Sequence, residues 1–494
     1  MRKCVILLLV LSLLSVGGVV YAHRAVDDLS DQVSFTEAVH SGSLSAAEGL
    51  VVELNTQMRQ NLFWNTCYPL GGEAKTDFSF SQENVYRSGN YRAYGLSAQF
   101  PVGYGWSSSR GRNYEEPDEE DLERMGSDDL LLSILQAVSR NTAPDSEHAE
   151  IVRVADYFEY LPLEFHLNDI DAFVVVEEDG YENVYHAEGY ENQSVLFQPL
   201  QDYFRIPVPE NLWLEITMYK NAEGLITSLD TNYAWENPEA VWGPDFEMCN
   251  AVTDQGCYFS FAGQWRDEEG NGYPLDADFV PGVYLLPYTE DYDLVQGRER
   301  VKYVRTEELR CIYAFDSESV QAENLHMLEE ENRLLLTTQE GQTLWLNVID
   351  LNTGERVQKL ALMDLGEHSL RHVWYEDGFL LHLCYDNRFV LSLLTEKGYE
   401  TRISGEIAMD KSMDNALYSD QVALAYNGEK LGIAFSLYRT EPYYDCASSV
   451  GVMVYDQSGL LYAGVHISSL DTGSEKYSHR VFLSEKDPIT VRWE

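Results

Sequence analysis

The stretch that decides the fold of this chain is residues 345–362, which read WLNVIDLNTGERVQKLAL. An apolar run of strand length comes first, the string Asn352-Thr353-Gly354 is a turn signal, and a second run leads from Val357 to Leu362. The segment therefore predicts a β-hairpin. Because a single hairpin cannot bury its own apolar face, we expect it to pack against further units of the same kind.

Two later segments repeat this pattern. Residues 390–407 turn at Gly398 and residues 452–470 turn at Gly459, so successive turn glycines lie 44 and 61 residues apart. These spacings suit four-stranded units that carry loop insertions. We expect an all-β, β-propeller-like fold over residues 301–494, with at least three consecutive four-stranded meanders.

Residues 349–355, IDLNTGE, carry a resemblance to a known family. This string is similar to the outer hairpin of quinoprotein-like β-propeller repeats. Gln358 stands where that family usually places a tryptophan, four residues after the glycine. The resemblance covers a few dozen residues. It implies an architecture of stacked meanders, and it implies no cofactor and no catalytic residue.

Residues 150–300 are also rich in strand signals, and several runs alternate apolar and polar positions. The predicted strands include residues 151–165, 172–176, 204–208, 213–219 and 257–261. Residues 280–286, with Tyr284, resemble the strand entry that carries the tyrosine corner in immunoglobulin-like sandwiches. This region is either a set of early propeller blades or a separate β-sandwich beside a partial propeller, and periodicity does not separate the two.

Residues 23–149 form a less regular N-terminal region. Its clearest signal is a helix from Asp128 to Arg140, with an apolar stripe along one face and Ser127 as the N-cap. An acidic run at residues 115–121 precedes the helix, and such runs are most often solvated loops. We expect the helix to pack on the β-rich part of the chain.

The N-terminus carries an export signal. Arg2 and Lys3 precede an apolar run from Cys4 to Ala22, and small residues suit cleavage after Ala22. The alternative is a retained membrane anchor, because nineteen apolar residues just span a hydrocarbon core of ~30 Å. Both alternatives place the rest of the chain outside the cytoplasm, either secreted or anchored at the cell surface by residues 1–22.

The chain is strongly acidic. Its net charge is −48, and it becomes −50 when residues 1–22 are removed with Arg2 and Lys3. Nucleic acid is excluded as a partner, because phosphate binding depends on clustered Lys and Arg. Membrane contact is expected only through residues 1–22. Since 45% of the residues are hydrophobic, we expect a folded core rather than disorder.

A calcium-binding loop is predicted at residues 267–278. Numbered from Asp267, oxygen ligands fall at positions 1, 3 and 5, a glycine at 6, a backbone carbonyl at 7 and a carboxylate at 12. The ligands would be Asp267, Glu269, Asn271, Tyr273 and Asp278. The alternative is a plain β-hairpin that turns at Asn271-Gly272.

A ligand-binding loop is predicted where acidic residues are absent, between Glu83 and Glu115. Guanidinium groups and aromatic rings on a flexible, Gly- and Ser-rich segment suit sugars, anionic ligands or acidic peptides. The alternative is intramolecular docking of the arginines onto the neighbouring acidic run. The candidate residues are Arg87, Arg92, Tyr94, Trp106 and Arg110.

Six cysteines remain after the leader, and only Cys249 and Cys257 are close in sequence. They flank a seven-residue segment, which one disulfide would close. The alternative is a pair of free buried thiols. No Cys-x-x-Cys or Cys/His spacing suggests zinc.

No catalytic signature is present. The chain lacks Gly-x-Ser-x-Gly, a phosphate-binding loop, His-Glu-x-x-His and a dinucleotide fingerprint. We therefore expect an exported, non-catalytic binding or structural ectodomain, whose ligand is a protein, a peptide or a glycan. The alternative is an exported glycan-acting hydrolase, with its carboxylate pair hidden among 82 acidic residues. A deep, aromatic-lined pocket would favour the hydrolase, and a shallow surface would favour binding.

Overall fold

The computed structural model describes nineteen parts of the chain. These are residues 11–21, 24, 33–58, 62–80, 95–118, 130–168, 173–178, 181–186, 198–234, 243–266, 272–293, 298–317, 319–366, 368–376, 378–407, 422–436, 449–469, 481–483 and 489–494. Residues 11–21 are helical and exposed. Within these ranges, no helix is long and apolar enough to cross a membrane.

The chain divides into two units. The central unit is Tyr91–Glu367, and the terminal unit combines Met1–Asn90 with His368–Glu494. This division differs from the predicted boundaries near residues 149 and 300, because the N-terminal strands pair with C-terminal strands far away in sequence. A sequence pattern does not report such long-range pairing.

Four strands lie in the described residues of the terminal unit's N-terminal part. They are β1 (Phe35–Gly42), β2 (Leu50–Met58), β3 (Leu62–Pro69) and β4 (Lys75–Phe80).

The central unit contains nineteen strands and two α-helices among its described residues. The strands are β5 (Gly95–Gln99), β6 (Tyr104–Arg112), β7 (Ser146–Arg153), β8 (Glu164–Asn168), β9 (Phe173–Glu178), β10 (Tyr181–His186), β11 (Trp213–Lys220), β12 (Ile226–Tyr233), β13 (Pro244–Glu247), β14 (Asn250–Val252), β15 (Gly256–Arg266), β16 (Gly272–Pro274), β17 (Gly282–Asp293), β18 (Arg298–Val304), β19 (Arg310–Ala314), β20 (Val320–Leu328), β21 (Arg333–Glu340), β22 (Thr343–Asp350) and β23 (Glu355–Asp364). The helices are α1 (Leu132–Asn141) and α2 (Gln198–Tyr203).

The described residues of the terminal unit's C-terminal part form ten further strands. They are β24 (Leu370–Glu376), β25 (Phe379–Cys384), β26 (Arg388–Thr395), β27 (Gly398–Glu406), β28 (Val422–Tyr426), β29 (Leu431–Ser436), β30 (Val450–Asp456), β31 (Gly459–Ser468), β32 (Val481–Leu483) and β33 (Ile489–Trp493).

The part of the chain after residue 300 is propeller-like, as predicted. Three consecutive antiparallel meanders follow one another, formed by β20–β23, β24–β27 and β28–β31. The predicted hairpins are confirmed as β22–β23, β26–β27 and β30–β31. The first strand of each of the first two meanders also carries a β-bulge, at Glu323 in β20 and at Arg371 in β24. In both strands the bulge lies five residues before the last paired residue. The fold is therefore all-β with tandem four-stranded units.

The terminal unit joins the two ends of the chain through backbone pairing. Strand β1 adds to β31 as a fifth strand of the last meander, and β2 pairs with both β32 and β33. Apolar side chains from these sheets form a shared core that includes Leu50, Val52, Val452 and Val491. Because N-terminal strands pair with C-terminal strands, fewer strand edges are left without a hydrogen-bonded neighbour.

The central unit places two sheets around one apolar core. The sheet β6-β12-β11-β7 contributes Leu214, Ile216 and Met218, which alternate with half-buried residues along β11. The sheet built on β15 and β17 contributes Phe259 and Phe261 to the same core. Strand β18 pairs with β9 in parallel, whereas the neighbouring ladders are antiparallel.

The predicted helix is confirmed in its apolar stripe. Leu131, Ile134, Leu135 and Val138 are buried in the core of the central unit, where α1 contacts β11 and β7. The helix spans Leu132–Asn141, and its N-cap position is Leu131, which makes no side-chain cap hydrogen bond. The predicted cap Ser127 lies outside the described residues.

Two strand predictions in this region are wrong. Residues 204–208 are not a strand, because Phe204 follows α2 and is buried within an aromatic cluster. The predicted strand 151–165 is interrupted by a short 3-10 turn at Val154–Asp156, after β7 and before β8. Phe204 and Val154 are therefore buried by packing against the core of the central unit, and neither belongs to a strand.

Candidate functional site

A polar pocket lies on one face of the first meander. It is lined by Tyr313, Phe315, Asp316, Val320, Leu336, Thr338, Glu340, Asn347 and Arg356, and it has room for about one water molecule. The hairpin that decided the fold, β22–β23, supplies Asn347 and Arg356. The pocket is therefore built in part on that hairpin.

A β-bulge aligns the two cationic side chains of this face. Ile349 pairs with Arg356 and Val348 pairs with Gln358, so Val357 is an extra residue in β23. Residues three apart in a regular strand point to opposite faces, and one extra residue returns them to the same face. Arg356 and Lys359 consequently both reach the network on the pocket face.

Arg356 is the centre of one half of the network. Its Nη1 donates to Asp316 Oδ2 at 2.7 Å, to Tyr313 Oη at 2.9 Å and, more weakly, to Asn347 Oδ1 at 3.5 Å. Asp316 lies 40 residues earlier, in the segment that follows β19. The guanidinium therefore ties β23 to that segment through a charged hydrogen bond.

The other half of the network ends at a second ion pair. Asn347 Nδ2 donates to Thr338 Oγ1 at 2.9 Å, and the Thr338 hydroxyl donates to Glu340 Oε1 at 3.4 Å. Lys359 Nζ donates to Glu340 Oε2 at 2.6 Å and lies 4.7 Å from the centroid of the Trp345 ring. The two carboxylates of the pocket are thus each held by a cation.

Burial and charge define the electrostatics of the pocket. Thr338 and Asn347 are only 1% and 2% exposed, so their hydrogen bonds are formed away from bulk water. Burial raises the pKa of Tyr313, and the nearby Arg356 partly opposes that rise. For Arg356, burial lowers the pKa, but the hydrogen bond to Asp316 and the surrounding acidic groups outweigh it and leave the pKa raised.

A second polar cluster lies in the terminal unit. His466 on β31 is 1% exposed, and its ring nitrogens contact Tyr68 Oη at 3.1 Å and Tyr462 Oη at 2.9 Å. Tyr462 Oη donates to Glu37 Oε1 at 2.6 Å. Because Tyr462 gives its one proton to Glu37, neutral His466 donates from Nε2 and accepts from Tyr68 at Nδ1.

Burial sets the protonation state of this cluster. It lowers the pKa of His466 to about 4, and the Glu37 carboxylate acts in the opposite direction. The pKa of Tyr462 is raised, mainly by burial and then by its hydrogen bond to Glu37. Gly464 leaves space for the side chains of Tyr462 and His466, because a Cβ at this position would overlap the Tyr462 hydroxyl and lie 3.0 Å from His466 Nε2.

The predicted ligand-binding loop is described only in part. Arg87, Arg92 and Tyr94 lie outside the described residues. Trp106 packs against the core of the central unit, and the guanidinium carbon of Arg112 lies 4.2 Å from its ring centroid. Trp106 is therefore engaged within the protein, whereas Arg110 on the same strand β6 is exposed.

The acidic run beside this loop is not simply a solvated loop. Glu115 Oε1 accepts a hydrogen bond of 2.6 Å from Lys220 Nζ, and the Lys220 side chain is only 9% exposed. The hydrogen bond from Lys220 lowers the pKa of Glu115. The acid that begins the run thus pairs with a lysine of β11.

The predicted calcium loop is also described only in part. Asp267, Glu269 and Asn271 lie outside the described residues, while Tyr273 and Asp278 are exposed. Gly272 pairs with Arg266 in the β15–β16 ladder, so it belongs to the strand rather than to a two-residue turn with Asn271. The described residues contain no group of three or more His, Cys, Asp or Glu that could hold a metal ion.

The predicted disulfide between Cys249 and Cys257 is not formed. Neither sulfur is bonded to another cysteine; Cys249 Sγ donates a hydrogen bond to the Ala322 carbonyl, and Cys257 is buried. The register of β14 with β15 places Cys257 opposite Val252, and the backbone N–H of Cys249 donates to Ser260 Oγ. The two cysteines therefore lie at different levels of the same hairpin, which is the reason that the prediction fails.

Sequence reasoning did not select the residues of the polar pocket. One signal was available: Asn347 is the single polar residue in the apolar run from Trp345 to Ile349. A polar side chain at a buried strand position needs hydrogen-bond partners, so it marks a polar site inside a sheet. The predicted likeness of residues 280–286 to a tyrosine corner agrees with one contact: Tyr284 donates a hydrogen bond to the Val280 carbonyl.

Comparisons with known proteins identify no family. No protein-family model matches the chain, and no curated protein matches it. Similar solved structures include the Dos1 propeller, with 7% identity and a TM-score of 0.24 over 61% of this chain and 60% of that one. The N-terminal domain of Nup159 has 10% identity and a TM-score of 0.21, over 65% and 69% of the two chains.

A third similar structure is a putative 6-phosphogluconolactonase from Bacteroides uniformis. It has 10% identity and a TM-score of 0.22, over 53% of this chain and 66% of that one. The chain spans less than two thirds of the length of this protein and of the Dos1 propeller. At these TM-scores the likeness says nothing about activity.

Proposed function

We propose that this protein is an exported, acidic, non-catalytic binding ectodomain, built on a β-propeller of quinoprotein-like repeats. Its ligand, met outside the cytoplasm, is a protein, a peptide or a glycan. Residues 1–22 direct export and are cleaved after Ala22; if they are retained, they anchor the domain at the cell surface.

One observation carries the binding role. In the polar pocket both carboxylates are neutralised in place, Asp316 by Arg356 and Glu340 by Lys359. A general acid or base must exchange a proton with its substrate, and a carboxylate fixed by a cation is poorly suited to that task. Paired charges with buried hydrogen-bonding partners suit recognition instead.

The small size of the pocket points the same way. Glycoside hydrolysis needs a cleft that surrounds a sugar ring and places two carboxyl groups ~5–10 Å apart on its two sides. The polar pocket admits about one water-sized group. It can seat one substituent of a ligand that lies on the surface of the sheet.

The test uses the mature chain, residues 23–494, recovered after export. The protein is passed over arrays of neutral glycans, charged glycans, basic peptides and acidic peptides, and each retained ligand is recovered and weighed by mass spectrometry. We expect retention of at least one class with an unchanged ligand mass. Cleaved glycan would establish the hydrolase instead, and retention of no class would contradict the binding role.

A second measurement tests the export step. N-terminal sequencing of the exported protein should begin at His23. A start at Met1 in a membrane fraction would show that residues 1–22 are an anchor. Recovery of the chain in the cytoplasm, with residues 1–22 intact, would contradict the proposal.

A further inference from the structure

We propose that the polar pocket binds a neutral hydroxyl group of a glycan, which makes a neutral glycan the ligand class of this domain. The proposal rests on the binding function above and narrows it to one of its three ligand classes. Four properties of the pocket support it: its charge balance, its hydrogen-bond donors and acceptors, its size and its aromatic lining.

The charge balance excludes an ionic ligand group. Arg356 and Lys359 contribute two positive charges, and Asp316 and Glu340 contribute two negative charges. An incoming carboxylate or ammonium would find no net attraction and would lose hydration. A neutral group avoids that cost.

The hydrogen-bonding groups fit a hydroxyl. The pocket lining offers guanidinium N–H groups of Arg356 as donors and carboxylate oxygens of Glu340 as acceptors. A hydroxyl both donates and accepts, whereas a carboxylate only accepts and an ammonium only donates. Behind these groups, Asn347 and Thr338 are buried and already bonded to each other, so the wall of the site is preformed.

The size and the aromatic lining of the pocket fit a sugar. Room for one water molecule is room for one hydroxyl oxygen, and a ligand that reproduces the hydrogen bonds of a displaced water keeps their energy. Tyr313 and Phe315 line the pocket and are half-buried, with ring centroids 6.5 Å apart and planes inclined by 60°. Aromatic faces pack against the apolar C–H face of a pyranose while its hydroxyl enters the pocket.

The test measures binding of the mature chain to neutral oligosaccharides on an array, followed by titration of the best ligand and its single-deoxy analogues. We expect removal of one hydroxyl to weaken binding about tenfold or more, because the polar groups of the pocket then lose a partner. Removal of hydroxyls elsewhere on the sugar should change binding less than about twofold.

A matched pair of variants locates the site. Thr338→Val removes the hydroxyl at the pocket wall, whereas Thr337→Val makes the same change on the opposite face of the same strand. We expect Thr338→Val to lose binding about tenfold and Thr337→Val to keep it. If Thr338→Val fails to fold, Tyr313→Phe at the half-buried pocket lining replaces it, with the same expectation.

The outcomes separate the two proposals. Retention of peptides or proteins with no neutral glycan would overturn this inference and leave the binding function standing. This inference would also be overturned if no single-deoxy analogue bound more weakly than the parent glycan. The same holds if Thr338→Val and Tyr313→Phe both bound the glycan as tightly as the wild type. Retention of no ligand of any class would overturn the binding function itself.

Discussion

Arg356 and Asp316 form a 2.7 Å ion pair between residues that are 40 positions apart in the sequence. The pair connects the bulged strand β23 to the segment after β19 and closes one side of the polar pocket. The Asp316 side chain is more than half exposed, whereas Thr338 and Asn347 are buried, so the pair marks the open end of the network.

The first prediction compares the two ends of this network. Asn347→Ala should lower the free energy of unfolding by about 1–3 kcal/mol, because Thr338 then loses a buried hydrogen-bond donor. Asp316→Ala should lower it by at most about 1 kcal/mol, since exposed ion pairs contribute little. Urea unfolding of both variants measures the difference. Equal losses would show that Asn347 is not held as described.

The second prediction concerns Gly464. An alanine there would place its Cβ against the Tyr462 hydroxyl, so Gly464→Ala should destabilise the protein by about 1–3 kcal/mol or more. Gly341→Ala is the control: its added Cβ meets no atom within 4 Å, and only its positive φ of 61° opposes the change. A melting temperature of Gly464→Ala at or above that of Gly341→Ala would contradict the packing.

The third prediction is a pH dependence of stability from His466. Burial lowers its pKa to about 4 in the folded protein, against an ordinary value of 6.5. Between these values the unfolded chain binds a proton that the folded chain does not, so stability is complete above pH ~6.5 and falls as the pH drops toward 4. The loss is about 3 kcal/mol at most.

The variant His466→Gln isolates this contribution. Glutamine keeps a donor and an acceptor for Tyr68 and Tyr462 but does not titrate. Burial also lowers the pKa of His382, so the wild-type slope has more than one source. Urea unfolding between pH 7 and pH 4 should show a smaller slope for the variant. Parallel curves would mean that His466 titrates normally.

The fourth prediction tests the calcium loop. If the five oxygens gather around the ion, calcium at a hundred times its dissociation constant should stabilise the fold by ~2.7 kcal/mol, and magnesium should stabilise it less. The melting temperature of the mature chain with and without millimolar calcium measures this. The loop does not bind calcium if the shift is absent, or if Asp267→Ala shows the same shift.

The hairpins could be predicted because local residues determine them. Gly354, Gly398 and Gly459 have φ values of 70°, 104° and 116°, a backbone region that other residues rarely adopt. Each is flanked by apolar runs of strand length. In each hairpin the turn residues and the flanking strand pattern therefore predict the same structure within one short segment, and the structure confirmed all three hairpins.

The pocket could not be predicted because it depends on register and on distant contacts. The bulge at Val357 brings Arg356 and Lys359 to one face, and no sequence rule places such a bulge. Asp316 reaches Arg356 from another segment altogether. The same limit explains Phe204, where an apolar run of strand length packs into a core without joining a sheet.

The most direct test of the account is titration calorimetry of the mature chain with the ligand retained from the arrays, using wild type and Arg356→Gln. Glutamine is too short to hold Asp316 and Tyr313 as the guanidinium does. We predict saturable binding by the wild type, a loss of about tenfold or more in Arg356→Gln, and recovery of the ligand with its mass unchanged. Equal affinities, or a ligand recovered in cleaved form, would contradict a binding domain that recognises its ligand through the polar pocket.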